Sequence, residues 1–144
     1  MSILKKAGVS AVTVDPSTSV MRAILLMKGE EVDTLFVVEE GALLGAFTQR
    51  DLAFRVVLGR RDPETTTVRE VMTSPAITLA ANATVADALR VMAEHRVPQL
   101  PVVDEQRSIK GMVTLRDIFR EQTVDLTQEL DSLVAYQSAD GIGG

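Results

Sequence analysis

The chain predicts an α/β (α+β) fold: two β-α-β-β-α repeats packed about a pseudo-twofold axis, with a C-terminal helix. Three observations carry that expectation. Residues 45–51 read Gly-Ala-Phe-Thr-Gln-Arg-Asp and residues 111–117 read Gly-Met-Val-Thr-Leu-Arg-Asp, one G-x-x-T-x-R-D pattern 66 positions apart. Upstream the echo runs at an offset of 65: Thr13 matches Thr78, Val20 matches Val85, Met27 matches Met92, Leu35 matches Leu100, and Val37-Val38 matches Val102-Val103. Both copies also place apolar strand runs and helical stripes in the same order. A duplicated unit of this length buries its apolar face against its twin, and clefts made that way come in pairs.

In the first repeat, residues 11–14 read as a short strand. Residues 15–19 turn the chain, and Ser19 is a suitable helix N-cap. Val20, Ala23, Ile24 and Met27 form the i, i+3, i+4, i+7 stripe of a helix with one buried face, which Gly29 is expected to stop. The run Leu35-Phe36-Val37-Val38 is continuously apolar, so that strand is expected to be buried on both faces. Residues 39–41 turn a hairpin, residues 43–47 return, and Thr48 opens a helix to about Val57. The second repeat has the same order: a strand at 76–79, a helix capped by Thr84, strands at 100–103 and 109–113, and a helix from Thr114. The offset grows by one in the hairpin, where the second copy carries an extra residue. Pro98 and Pro101 restrict their strand to a place that tolerates missing N–H donors. Residues 68–73 read as a short helical turn after a polar linker, and Leu126, Leu130, Leu133 and Val134 share one helical face near the C-terminus.

The doubled motif has an ordinary structural reading. T-x-x-D at a strand-to-helix junction is a capping-box variant. Thr48 and Thr114 would accept from first-turn N–H groups, and Asp51 and Asp117 would sit where negative charge suits the helix dipole. The opening glycine lets the backbone come close to something. The same arrangement suits a ligand. A helix N-terminus attracts phosphate, threonine adds a hydroxyl, and aspartate one turn away accepts from the paired hydroxyls of a ribose. Ala46-Phe47 and Met112-Val113 could flank a purine ring, and backbone groups beside Val97 and Pro98 could read its edge. Together these features describe an adenosine-nucleotide cleft.

With these residues in view, each repeat resembles the cystathionine-β-synthase domain, and the pair resembles a Bateman module of the stand-alone bacterial or archaeal type. The resemblance rests on the doubled G-x-x-T-x-R-D, the Val71-Met72-Thr73 lead-in, the helix from Thr84-Val85 to Met92 and the run Leu100-Pro101-Val102-Val103-Asp104. It divides the chain into repeat 1 (9–58), a linker (59–74), repeat 2 (75–122) and a C-terminal helix and tail (123–144). It implies binding of AMP, ADP, ATP or S-adenosylmethionine in one or both clefts. It also implies a flat homodimer and a sensing role toward an unidentified effector protein. Carried over position by position, one site would use Thr114, Arg116 and Asp117 with Thr13, Val32, Met112 and Val113. The other would use Thr48, Arg50 and Asp51 with Thr78, Val97, Pro98 and Phe47.

The two sites are not expected to be equal. Glu31 and Asp33 stand where the first repeat enters its second strand and would repel a polyphosphate at short range. His95 and Arg96 stand before the matching strand, which makes Arg96 a candidate phosphate partner; a solvated residue at a helix C-terminus is its ordinary reading. His95 reads as a surface residue. Arg50 and Arg116 either pair with carboxylates such as Asp51 or meet a ligand phosphate. Asp15, Glu30, Glu31 and Asp33 read as a solvated loop, with Mg²⁺ binding as the alternative.

Composition narrows the function classes. The net charge of −5 over 144 residues argues against nucleic-acid or anionic-membrane surfaces. No apolar run approaches 18 residues, so no transmembrane helix is expected, and without a signal segment the expected location is the cytoplasm. With no cysteine and a single histidine, thiolate chemistry is excluded and a transition-metal site is not expected. No nucleophile stands with a base, so the chain is not read as an enzyme. A homodimerisation module with empty clefts is the alternative to a nucleotide sensor, and S-adenosylmethionine or NADH are alternative ligands.

Overall fold

The apolar runs lie within strands of five to seven residues, and the two striped segments become 11-residue helices. The computed structural model describes residues 11–121. In the first repeat β1 (Thr13–Val14), α1 (Val20–Glu30), β2 (Thr34–Glu39), β3 (Ala42–Thr48) and α2 (Gln49–Asp51) follow in order, and α2 runs on as a π-helical stretch over Leu52–Val57. After α3 (Val68–Val71), the second repeat supplies β4 (Leu79–Ala80), α4 (Val85–His95), β5 (Gln99–Val103), β6 (Ile109–Thr114) and α5 (Leu115–Glu121). Each repeat forms a three-stranded sheet with the apolar strand in the middle, parallel to the first strand and antiparallel to the third. The stripe anticipated on residues 126–134, and the tail after it, lie outside the described residues.

Both faces of β2 are buried, as its continuous apolar run implies. Leu35 and Val37 face the first repeat's core with Val20, Ala23, Met27 and Phe47. Phe36 turns the other way, into a layer shared with Leu43, Ala76, Val103 and Met112 that joins the two repeats. The second core holds Leu79, Ala88, Met92, Leu100, Val102, Val113 and Ile118. Each fully buried side chain of this size contributes roughly 1.5–3 kcal/mol. The linker's second half is more than a tether: Val68 and Val71 of α3 belong to the first core, and Thr67 closes a capping box with Glu70.

The hairpins differ where the offset changes. Glu40 and Gly41 carry positive φ (51° and 81°) in a two-residue turn, the geometry that matches strand twist. The second hairpin takes one residue more, and Asp104 closes it by accepting the Ser108 and Gln106 N–H groups. Arg107 then clamps the repeats together: its backbone carbonyl accepts the Leu43 N–H at 2.9 Å and its Nε donates to the Leu43 carbonyl at 3.0 Å.

Two expectations need correction. Gly29 does not stop α1, which ends at Glu30; Glu31 turns left-handed (φ 56°) and its N–H returns to the Lys28 and Met27 carbonyls. Arg96 ends α4 with the same φ, so the stop is the shared turn into the next strand. The strand anticipated at 76–79 forms only at Leu79–Ala80. In the first repeat the Phe36 N–H donates to the Val12 carbonyl at 2.9 Å; Pro101 stands in the equivalent place and has no N–H to give. That short β4 also explains how β5 keeps Pro101 although it is the middle strand of its sheet.

Candidate functional site

The two motif copies put a threonine and an aspartate at the start of α2 and α5, at the ends of β3 and β6. The N–H of Gln49 donates to the Asp33 carbonyl at 3.2 Å, and that of Leu115 to the Pro98 carbonyl at 2.8 Å. Each motif helix is therefore anchored to the residue that leads into its own repeat's middle strand. Gly45 is required by a close approach: a Cβ there would lie 2.5 Å from the Thr73 carbonyl oxygen and 3.0 Å from Met72 Sδ. Thr73 and Ala46 exchange two backbone hydrogen bonds at 2.9 Å, which holds the start of the second repeat against β3.

That contact shapes a cleft of about 360 Å³ between the repeats, a size that suits a small molecule. The first repeat contributes Asp33, Ala46, Thr48 and Arg50, and the following segment adds Thr73, Ala76 and Ile77. Val97, Pro98 and Gln99 close it from the second repeat. The structure thus brings Thr48, Arg50, Val97 and Pro98 together. Asp51 lies behind them, 4% exposed, with its carboxylate fully engaged. Its Oδ2 accepts from the Thr48 N–H at 3.0 Å and the Thr48 hydroxyl at 3.1 Å. Its Oδ1 accepts from the Thr73 hydroxyl at 2.8 Å, with Arg55 Nε 3.6 Å away.

A second hollow of about 490 Å³ collects Thr114, Arg116, Asp117 and Arg120 with Asp33, Pro98 and Gln99. Here the Thr114 hydroxyl accepts the Asp117 N–H at 2.9 Å, but Asp117 Oδ2 is buried with no hydrogen-bond partner among the described residues. A buried, bare carboxylate oxygen costs free energy until a donor reaches it.

Several anticipated residues fall elsewhere. Phe47 and Val113 are fully buried and Met112 is 2% exposed, so they pack cores and do not flank a ring; along β3, alternation gives the cleft Ala46 instead. Thr13 is exposed on β1 and Thr78 is half-buried, and neither lines these clefts. Val32 lines a neighbouring hollow with Lys28 and Glu31. Arg96, exposed, lines another hollow with Leu89 and Met92. The edge-reading backbone is partly committed: the Val97 N–H donates to the Met92 carbonyl, and the Pro98 carbonyl accepts from Leu115. Asp51 pairs with Arg55, one turn on, while Arg50 stacks over the Phe54 ring at 5.5 Å. Asp15 binds the backbone and hydroxyl of Ser17, which lower its pKa. Among the described residues no group of three or more His, Cys, Asp or Glu side chains could hold a metal ion, so the acidic residues do not assemble a Mg²⁺ site. Thr73, Ile77 and Gln99 are cleft residues that motif reading missed.

Comparison with known proteins identifies the family behind this fold. The CBS domain family model matches residues 8–58 and 68–123. The chain belongs to the CBS domain family. CBS domain-containing protein YhcV of Bacillus subtilis is 39% identical over 106 residues, covering 74% of each chain. Among solved structures, Hypoxic Response Protein I, determined with two coordinated zinc ions, superposes with a TM-score of 0.73 at 28% identity, covering 85% of this chain and all of that one. The CBS domain pair of protein MJ0100, in complex with 5′-methylthioadenosine and S-adenosyl-L-methionine, gives 0.68 at 26% identity, covering 83% of this chain and 94% of that one. A CBS pair is a ligand-binding regulatory module, and this chain is of that kind.

Proposed function

We propose that the chain is a non-catalytic sensor that binds an adenosine-containing ligand (AMP, ADP or ATP, with S-adenosylmethionine and NADH as alternatives) between its CBS repeats. The observation that carries the reading is the pair of inter-repeat clefts, each lined by the threonine and arginine of one motif copy. In the second, Asp117 Oδ2 is buried and has no donor among the described residues; a slight parting of the cleft walls would let a ribose hydroxyl reach it. The ligand complex of the MJ0100 pair supports the adenosyl class. Thr48, Arg50, Val97 and Pro98 serve one cleft, with Thr73 and Ile77 added. Thr114, Arg116 and Asp117 serve the other. Residues 9–58 and 75–122 act as the two repeats, with residues 59–74 between them, in a cytoplasmic protein.

Occupancy would be read out through the relative placement of the repeats, because a ligand shifts such an equilibrium only by its differential affinity for the two states. Exposed Phe54, Val57 and Leu58 after α2, with exposed Leu25 on α1, support a homodimer through the helical surface, and an effector protein completes the assembly. The test is a thermal-shift panel of AMP, ADP, ATP, S-adenosylmethionine and NADH. Binding at a hundredfold excess over Kd stabilises the folded state by about 2.7 kcal/mol. Absence of any shift at millimolar ligand would discard the sensor reading in favour of a dimerisation module.

A further inference from the structure

Asp33 lies on the walls of both clefts. It lines the Thr48–Arg50 cleft and also the Thr114–Asp117 cleft. Its place explains this: it leads into β2, and the entries to β2 and β5 meet between the two sites. The residue in the equivalent place of the second repeat is Pro98, which also lines both clefts and carries no charge. A residue present once therefore serves two sites. The Asp33 side chain is exposed, and its only described hydrogen bond is from the neighbouring Thr34 hydroxyl at 3.1 Å.

The charge balance makes that position decisive. Among the lining residues of the first cleft, one arginine (Arg50) faces one aspartate (Asp33). In the second, Arg116 and Arg120 face Asp117 and Asp33. Each wall is formally neutral with Asp33 ionised and would carry one positive charge without it. A neutral wall gives no net attraction to a triphosphate, and a carboxylate at short range opposes each added phosphate. From this we infer that Asp33 is a charge filter shared by both clefts. It disfavours nucleoside di- and triphosphates and leaves the sites to adenosine-containing ligands with no net negative charge, such as adenosine thioethers or sulfonium compounds, or with at most one phosphate. This inference rests on the adenosyl reading of the clefts.

The experiment is isothermal titration calorimetry in metal-free, low-salt buffer with ATP and with 5′-methylthioadenosine as a neutral probe. The proteins are the wild type, Asp33→Asn and Glu105→Gln, the last removing an exposed charge that lines neither cleft. Asp33→Asn is expected to tighten ATP binding about fivefold or more, the effect of one like charge at about 4 Å even in water, while methylthioadenosine changes by less than about twofold. Glu105→Gln should leave both ligands unchanged. High salt should shrink the ATP gain, since exposed charges are screened. ATP affinity that is unaltered by Asp33→Asn, with methylthioadenosine still binding, would overturn the filter and leave the adenosyl reading intact. A gain confined to one of two resolved binding steps would overturn the sharing. No heat from either ligand with any of the proteins would overturn the adenosyl reading itself, and the filter with it.

Discussion

Asp51 and Asp117 stand at the same step of the same motif, yet their carboxylates live differently. Asp51 is wrapped by its own chain: Thr48 holds one oxygen, Thr73 and Arg55 hold the other. Asp117 keeps a buried oxygen with no donor among the described residues. Outside the motif the two copies differ in sequence. Position 55 is arginine, while the residue 66 positions further along the sequence is Glu121. Thr73 corresponds at an offset of 65 to Gly8, which has no hydroxyl to offer. One copy of the motif has become mainly a structural joint between the repeats, and the other retains an unmet acceptor.

That contrast can be broken by substitution. The largest effect is expected from Asp51→Ala, which strands the Thr73 hydroxyl and the Thr48 N–H; urea denaturation should show a loss of about 3 kcal/mol. Asp117→Ala removes a carboxylate whose buried oxygen has no partner among the described residues, and should change stability by less than about 1 kcal/mol. Equal losses for the two aspartates would erase the contrast. Gly45→Ala pushes a methyl group into the Thr73 carbonyl, and about 2 kcal/mol should be lost by the same measurement; a neutral result would mean that the Ala46–Thr73 pairing is easily given up. Thr73→Val deletes one hydrogen bond to Asp51 and should cost about 1 kcal/mol. A double-mutant cycle with Asp51→Ala should then reveal coupling, and simple additivity would deny the contact.

The smallest effect concerns pH. Asp87, Glu70 and Asp104 have lowered pKa values, chiefly because they accept backbone N–H groups of Thr84, Thr67 and Ser108. A carboxyl whose folded pKa is depressed adds stability above its unfolded pKa and loses it as pH falls through the folded value. Midpoints of unfolding should therefore decline once pH drops below about 4, the unperturbed carboxylate range. Asp87→Asn should flatten that decline slightly, and an unchanged slope would remove the α4 capping box from the account.

Much of this was legible in the residues because duplication repeats its own evidence. The order of elements along the chain, the doubly buried β2 and the extra hairpin residue all follow from periodicity and offset. What escaped depends on contacts between segments distant in sequence. Phe47 and Met112 were candidates to flank a ring because they adjoin the motif threonines, but pleat alternation and the inter-repeat layer bury them. Thr73 is hidden in a lead-in to the second repeat, and only packing against Gly45 brings it to Asp51. Asp33 is visible as an acidic residue at a strand entry; that it faces two clefts is a consequence of the pseudo-twofold packing. The missing N–H of Pro101, by contrast, was readable in principle, since Phe36 holds the matching place.

The central claim is that a ligand donor completes the site at Asp117. It is tested most directly by titrating 5′-methylthioadenosine and AMP into the wild type and Asp117→Asn, with circular dichroism and urea denaturation to confirm that the variant is folded and comparably stable. The amide keeps the shape and removes the charge. The account predicts that binding to the wild type is weakened at least about tenfold, or 1.4 kcal/mol, in the variant, since hydrogen bonds to charged groups contribute about that much. Wild-type binding that survives Asp117→Asn at full affinity would contradict it.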